Sequence, residues 1–267
     1  MKKLSLFLFS FLLVFAACKK DDKQEEDPNA LAPTATQKGF AIEYTSITCG
    51  ICGATGGPLI HKFSDEAPNG VVIALHVNSS DAMTNNTLAY GFNDDRPVEG
   101  GIPKFYVGDN KITTDANSNA MKDLLAQGDA VAGLDIKYEK DGSSMKVETL
   151  TKFFAAASGD YYLSVYILED GIDGSTKAPQ GYVQTGGTYS HPNDDYKHDF
   201  VIRASSANNN VMGEKLTSNP AKDSEFSKSY TIPLDASWKD VYAVAVLWKY
   251  EPNGQIKYKY VNSIRRR

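Results

Sequence analysis

Apolar and polar positions follow two different rhythms along this chain. In the first part, short apolar runs alternate with stretches of helical spacing. Residues 39–44 are apolar apart from Glu43 and predict a buried strand. Leu59, Ile60, Phe63 and Ala67 recur at helical intervals, and Pro68-Asn69-Gly70 ends that helix. Residues 71–77 form an unbroken apolar run, the pattern of a strand buried on both faces. A short amphipathic piece over 87–92 follows. Residues 100–113 then read as two strands around a Gly108-Asp109-Asn110 turn. A helix over 117–127, capped by Asn117 or Ser118 and stopped by Gly128, closes this part. Gly56-Gly57-Pro58 is predicted to split the helix that precedes residue 59.

From Ala130 onwards the period changes to two. Segments near 131–140, 144–154, 161–169, 181–189, 198–204, 226–233 and 240–249 alternate or carry β-branched and aromatic residues, and 258–261 adds a last strand. Lys140-Asp141-Gly142-Ser143, Glu169-Asp170-Gly171 and Pro252-Asn253-Gly254-Gln255 separate them as turns. Seven or eight short strands fit an immunoglobulin-like sandwich.

The N-terminus adds a targeting signal. Met1-Lys2-Lys3 precedes an apolar run over 4–17 that is too short for a confident membrane span. It ends Phe15-Ala16-Ala17-Cys18, which resembles the lipobox of bacterial lipoproteins, with Cys18 the lipidated first mature residue. Acyl chains there would anchor the protein to a membrane surface without spanning it. Residues 19–33 are charged and punctuated by proline, the composition of a tether. Lys20-Asp21-Asp22 also looks like the export signal with which some Gram-negative groups place lipoproteins on the outer face. The expected organisation is a leader over 1–17, a lipidated tether over 18–35, an α/β domain over 36–128 and a β-sandwich over 129–267. Loss of Lys2 and Lys3 with the leader takes the net charge from −5 to −7, which argues against nucleic acid as a partner.

The candidate chemistry lies in Cys49-Gly50-Ile51-Cys52. Zinc wants four ligands, and with three cysteines in the chain, one of them in the targeting segment, no second pair exists. A dithiol/disulfide pair between a strand and a helix remains. The first helical amides stabilise a thiolate there, so Cys49 is the expected nucleophile. An exported chain meets an oxidising compartment, where the pair persists as a disulfide. His76 at a strand end and His61 on a helix read as structural and exposed, respectively. His191, Asp194, Asp195 and His198 read as loop composition rather than a metal site. No phosphate-cradling loop, Ser-His-Asp elbow, metal site or cofactor site is expected.

The order strand, helix, strand, helix, hairpin, helix, with Cys49-Gly50-Ile51-Cys52 and Gly101-Ile102-Pro103, resembles the thioredoxin fold. That resemblance implies a cis Ile102–Pro103 bond packed against the disulfide and shaping a peptide groove. It also implies that Glu43, six residues before Cys49, is a buried acid that takes up the proton during exchange. Thr48 departs from the tryptophan common at its position. The whole chain is similar to the thioredoxin-fold outer-membrane lipoproteins of the twenty-eight-kilodalton type. The features that carry this are the lipobox, Glu43 and Thr45 before the cysteines, His76, and His198-Asp199-Phe200-Val201-Ile202-Arg203. The expected fold is therefore an α/β thioredoxin-like N-terminal domain followed by an all-β immunoglobulin-like sandwich. Two functions are open. One is a membrane-anchored thiol–disulfide oxidoreductase acting on cell-envelope proteins or peptides. The other is a surface binding or assembly lipoprotein with a structural disulfide.

Overall fold

The first strand, β1 (Phe40–Thr45), is fully buried and pairs in parallel with β2 (Val71–His76), also fully buried. The computed structural model describes residues 30–113, 119–185, 195–207 and 210–267. The leader, Cys18, most of the tether, the Asn117 or Ser118 cap and the loop residues His191 and Asp194 lie outside them. Between β1 and β2, a π-helical turn (Cys52–Gly56) runs directly into α1 (Gly57–Glu66). The predicted split at Gly56-Gly57-Pro58 does not occur. Pro58 sits at the change from π- to α-helical bonding, just after the Gly57 N–H donates to the Cys52 carbonyl, and the wider π turn accommodates a residue without an N–H.

After β2 come α2 (Asn86–Asp95), β3 (Lys104–Val107), β4 (Asn110–Ile112) and α3 (Ala120–Leu125). The side chain of Asn85 caps α2 by accepting the Leu88 N–H at 3.3 Å. The rest is strand: β5 (Ala132–Asp141), β6 (Ser144–Phe153), β7 (Asp160–Asp170), β8 (Ile172–Asp173), β9 (Lys197–His198), β10 (Val201–Ser205), β11 (Glu214–Ser218), β12 (Glu225–Pro233), β13 (Asp240–Tyr250) and β14 (Tyr258–Arg265). Residues 181–185 form no strand, and β11, unforeseen from the pattern, pairs with β7.

The pairing overturns the expected fold class. Nine strands form one mixed sheet in the order β14-β13-β7-β10-β2-β1-β3-β4, with β11 on β7, and a three-stranded sheet β12-β6-β5 packs against part of it. Of the described residues, 41% are strand and 15% helix. It is thus mostly β, not a thioredoxin-like α/β domain followed by a separate immunoglobulin-like sandwich. The reason lies at β2. An apolar strand with a bare edge has unpaired N–H and C=O groups, and β10 covers that edge in parallel, with the Ala74 N–H donating to the Phe200 carbonyl at 2.8 Å. Residues Leu31–Arg267 make one compact unit.

Alternation along β1 sets two cores. Phe40, Ile42 and Tyr44 pack with Leu88, Ala89 and Phe92 of α2 and with Tyr166 and Trp248 of the far strands. Ala41 shares the opposite face with Ile60 and Phe63 of α1 and Met121 of α3. Glu43 belongs to this second face. A carboxyl therefore lies beneath the first helical turn.

Candidate functional site

Cys49 and Cys52 are joined as a disulfide at the carboxyl end of β1, with their Cα atoms 5.2 Å apart. The turn Ser46–Cys49 places them: the Cys49 N–H donates to the Ser46 carbonyl at 3.1 Å. The two sulfurs differ in setting. Cys49 is half-buried and Ile51 beside it is 55% exposed, whereas Cys52 is 1% exposed. The Cys52 N–H donates to Cys49 Sγ at 3.1 Å. Across the site, the Ile102 carbonyl oxygen lies 3.8 Å from Cys49 Sγ and the Ile102–Pro103 peptide is cis. Gly100 and Gly101 both adopt positive φ, +76° and +90°, and so turn the chain into that peptide in a conformation other residues resist.

Glu43 is 2% exposed and directly under Gly56, where an added Cβ would fall 2.2 Å from Glu43 Oε1 and 3.3 Å from the Pro103 Cβ. The carboxyl, the helix start and the proline are thereby brought together. Burial pushes the Glu43 carboxyl up to about 8 against a partial counter-effect from its Thr45 hydrogen bond. Its Oε1 has no hydrogen-bond partner within the protein.

His76 follows Glu43 across the sheet and is also buried, at 2% exposure. Its Nδ1 lies 2.6 Å from Asp81 Oδ2. That oxygen also accepts the Ile47 N–H at 2.9 Å, and Asp81 Oδ1 accepts the Met83 N–H at 2.9 Å. Burial alone would raise Asp81, but His76 and these amides outweigh it and hold the carboxyl below its ordinary value. His198 donates from Nε2 to the Tyr182 carbonyl at 2.9 Å and lies edge-on to His76 with ring centroids 5.5 Å apart. Burial first, and His76 second, lower His198 to about 4. Arg203 donates to Glu169 at 2.7 Å, a structural pairing. His61 is partly exposed and 3.4 Å from Asp199. Among the described residues, no group of three or more metal-ligating side chains converges.

Sequence reasoning missed three contributors to this site: Asp81, Gln184 and Tyr196. Gln184 Nε2 donates to the Cys49 carbonyl at 2.9 Å, and Thr185 donates to the Ile47 carbonyl through its N–H at 2.8 Å. Tyr196 covers the Gly57 end of the helical turn, its hydroxyl 3.1 Å from where a Cβ on Gly57 would lie. Asp81 carried one signal, a lone acid five residues after a buried histidine. Gln184 lies in the 181–189 segment read as a strand, and Tyr196 in a loop, and neither pattern points to the cysteines.

The sequence profile of the outer membrane protein Omp28 family matches residues 100–261. The chain belongs to the Omp28 family. It is accordingly an outer-membrane protein, and among its described residues no helix is long and apolar enough to cross a membrane. Of the solved structures, this Omp28 family member is similar to HBP35 of Porphyromonas gingivalis, with a TM-score of 0.67 and 18% identity over 87% of this chain and 75% of that one. At that identity the likeness shows the fold alone. A DUF3823 family protein from Bacteroides ovatus aligns with a TM-score of 0.27, at 13% identity over 51% of this chain and 55% of that one, too low to carry an argument. No curated protein matches the sequence.

Proposed function

We propose that this outer-membrane protein carries out thiol–disulfide exchange on proteins or peptides of the cell envelope through Cys49 and Cys52. The observation that carries the reading is the unequal setting of the two sulfurs. Cys49 is reachable beside exposed Ile51 and receives the Cys52 N–H, while Cys52 is shielded. An amide aimed at a sulfur stabilises its thiolate, which is the form that reacts.

Reduced Cys49 attacks a partner disulfide, one partner sulfur leaves as a thiolate, and a mixed disulfide forms. Cys52 then gives its proton to the Glu43 carboxylate and attacks Cys49 Sγ. The Cys49–Cys52 bond forms and the second partner thiolate leaves. A base that titrates near neutrality is matched to that proton. Pro103 and the Ile102 carbonyl form the wall a bound segment would meet. A lipid on Cys18 would hold the protein at the membrane while this proceeds.

The test is equilibration of the purified protein with a glutathione series, combined with partner trapping by Cys52→Ser. A couple that equilibrates with glutathione, iodoacetamide labelling at Cys49 well before Cys52, and a mixed disulfide through Cys49 support exchange. A bond that glutathione does not open and a Cys52→Ser protein that traps nothing would leave the disulfide a structural staple of a surface-binding protein.

A further inference from the structure

Two buried polar atoms, Glu43 Oε1 and His76 Nε2, have no hydrogen-bond partner within the protein. Both residues line one small cavity of about 20 Å³ between β1, β2 and α1, walled by Thr45, Tyr196 and His198. Unpaired buried polar groups are costly, and space for one water probe with two to four polar neighbours is the usual setting of an internal water. The His76 tautomer is set by its partner. Ionised Asp81 only accepts, so Nδ1 carries the proton and Nε2 turns a lone pair to the cavity.

The cavity also leads outward. His61 and Asp199 line it and, on their other side, line an open cleft of about 460 Å³ with Asp170, Asp240, Arg265 and Arg267. On the cysteine side, Glu43 lies against Gly56 and Pro103, so the water-sized space opens only on its other side. The charged and titratable groups facing the cavity are thus Glu43 from β1, His76 from β2 with Asp81 behind it, His61 from α1, and Tyr196, Lys197, His198 and Asp199 from the β9 segment.

We propose that this cavity holds one bound water joining Glu43 to the His76–Asp81 pair, and that protons reach and leave the buried carboxyl along this route towards the His61–Asp199 mouth. The second half rests on the exchange function proposed above. After Cys52 gives its proton to Glu43, the carboxyl passes a proton through the water to His76 Nε2. The resulting imidazolium, held by Asp81, returns its proton to solvent through the mouth. Nothing is oxidised or reduced in these transfers, and Glu43 is restored as carboxylate. His76 and Asp81 act as positioning residues, since neither touches a sulfur.

Two measurements test this. A high-resolution crystal structure of the wild-type oxidised protein needs no substitution and no activity. A water within hydrogen-bond distance of both Glu43 Oε1 and His76 Nε2 is expected, and a dry cavity overturns the proposal. The second measurement loads Cys49 with glutathione and follows glutathione release as Cys52 closes the disulfide. His76→Gln should slow closure roughly tenfold or more near pH 7. It should leave the rate of Cys49 alkylation unchanged, which a general loosening of the site would not. Closure at the wild-type rate in His76→Gln overturns the route. A wild-type protein that never releases glutathione defeats the exchange reading and the proton route with it, while the crystal structure alone then decides the water site.

Discussion

Gln184 and Cys49 stand 135 positions apart in the chain, and the Gln184 side-chain amide donates to the Cys49 carbonyl at 2.9 Å. With Thr185 bonded to Ile47, this segment braces the cysteine turn from outside β1. Gln184 is 1% exposed and its Cγ occupies the place a Cβ on Gly53 would need. Gln184→Ala removes a donor from the Cys49 carbonyl, which keeps the Cys52 and Gly53 N–H groups, and opens a void beside the disulfide. A loss of about 1–2 kcal/mol of stability follows, read from urea midpoints, together with faster reduction of the Cys49–Cys52 bond by dithiothreitol.

Gly56 and Glu43 offer a cleaner experiment. In a helix, alanine ordinarily stabilises relative to glycine by about 1 kcal/mol. Here the new Cβ meets Glu43 Oε1, so Gly56→Ala should instead destabilise by roughly 2 kcal/mol. In a Glu43→Ala background the obstruction is gone and the same substitution should be neutral or stabilising. A double-mutant cycle of urea midpoints measures the coupling, and additive effects would contradict the contact.

Buried Arg96 predicts a large effect far from the cysteines. It pairs with Asp95, donates at 2.8 Å to both Asp109 and the Tyr258 carbonyl, and lies 4.7 Å over the Trp248 ring. Arg96→Ala strands two carboxylates and should cost about 3–5 kcal/mol in equilibrium unfolding. Arg96→Lys should recover little, because an ammonium cannot make the forked, stacked contact.

Stability should depend on pH through Glu43 and His198 in opposite senses. Glu43 titrates near 8 folded and near 4.5 unfolded, so the folded state holds the extra proton between those values. Stability from this group is full below about 4.5 and is lost as pH rises towards 8, by up to about 4 kcal/mol. His198 titrates near 4 folded and 6.5 unfolded, so its contribution is full above 6.5 and is lost as pH falls towards 4. Wild-type stability should therefore decline from pH 6.5 to 8, with the two effects opposed between 4.5 and 6.5. Glu43→Gln should flatten the decline above 6.5, as measured by urea unfolding across that range.

Anchoring is tested by metabolic labelling with a palmitate analogue. The wild-type protein should take up label and fractionate with the outer membrane. Cys18→Ser should abolish the label and release the protein, and an unlabelled wild type would refute lipidation.

The strands were largely legible. The pattern marked β5, β6, β7, β12 and β13 within a residue or so: β6 and β12 alternate buried and exposed positions, while β7 and β13 are apolar or aromatic runs buried between two cores. Their partners were not legible. A pattern tells that β2 is buried on both faces but not that β10, more than a hundred residues later, lies along its edge. Folding chain neighbours together yields the thioredoxin-like fold class, and the β10–β2 pairing contradicts it. β11 was invisible because Glu214–Ser218 is polar and largely exposed. At the site, Cys49 and Cys52 stood out by residue type and spacing, whereas Pro103 and Glu43 were reached only through the resemblance. The braces Gln184 and Tyr196 were not, since a loop side chain is recruited by position in space.

The beginning and end of the described chain are stitched together: the Lys38 N–H donates to Asn262, the Tyr260 hydroxyl donates to the Lys38 carbonyl, and Ser263 donates to Gly39. All of these lie at the start of β1, and the cysteines lie past its end. Six residues of strand put roughly 20 Å between the two. Whatever fastens the protein upstream of Leu31 therefore pulls on the root of the sheet, and the disulfide is carried at the tip. A load arriving from that side is met first by the Ala32 N–H on Asp135 and the Ala130 N–H on the Ala35 carbonyl, then by the bonds to β14, so it is spent before it travels along β1 to the cysteine turn.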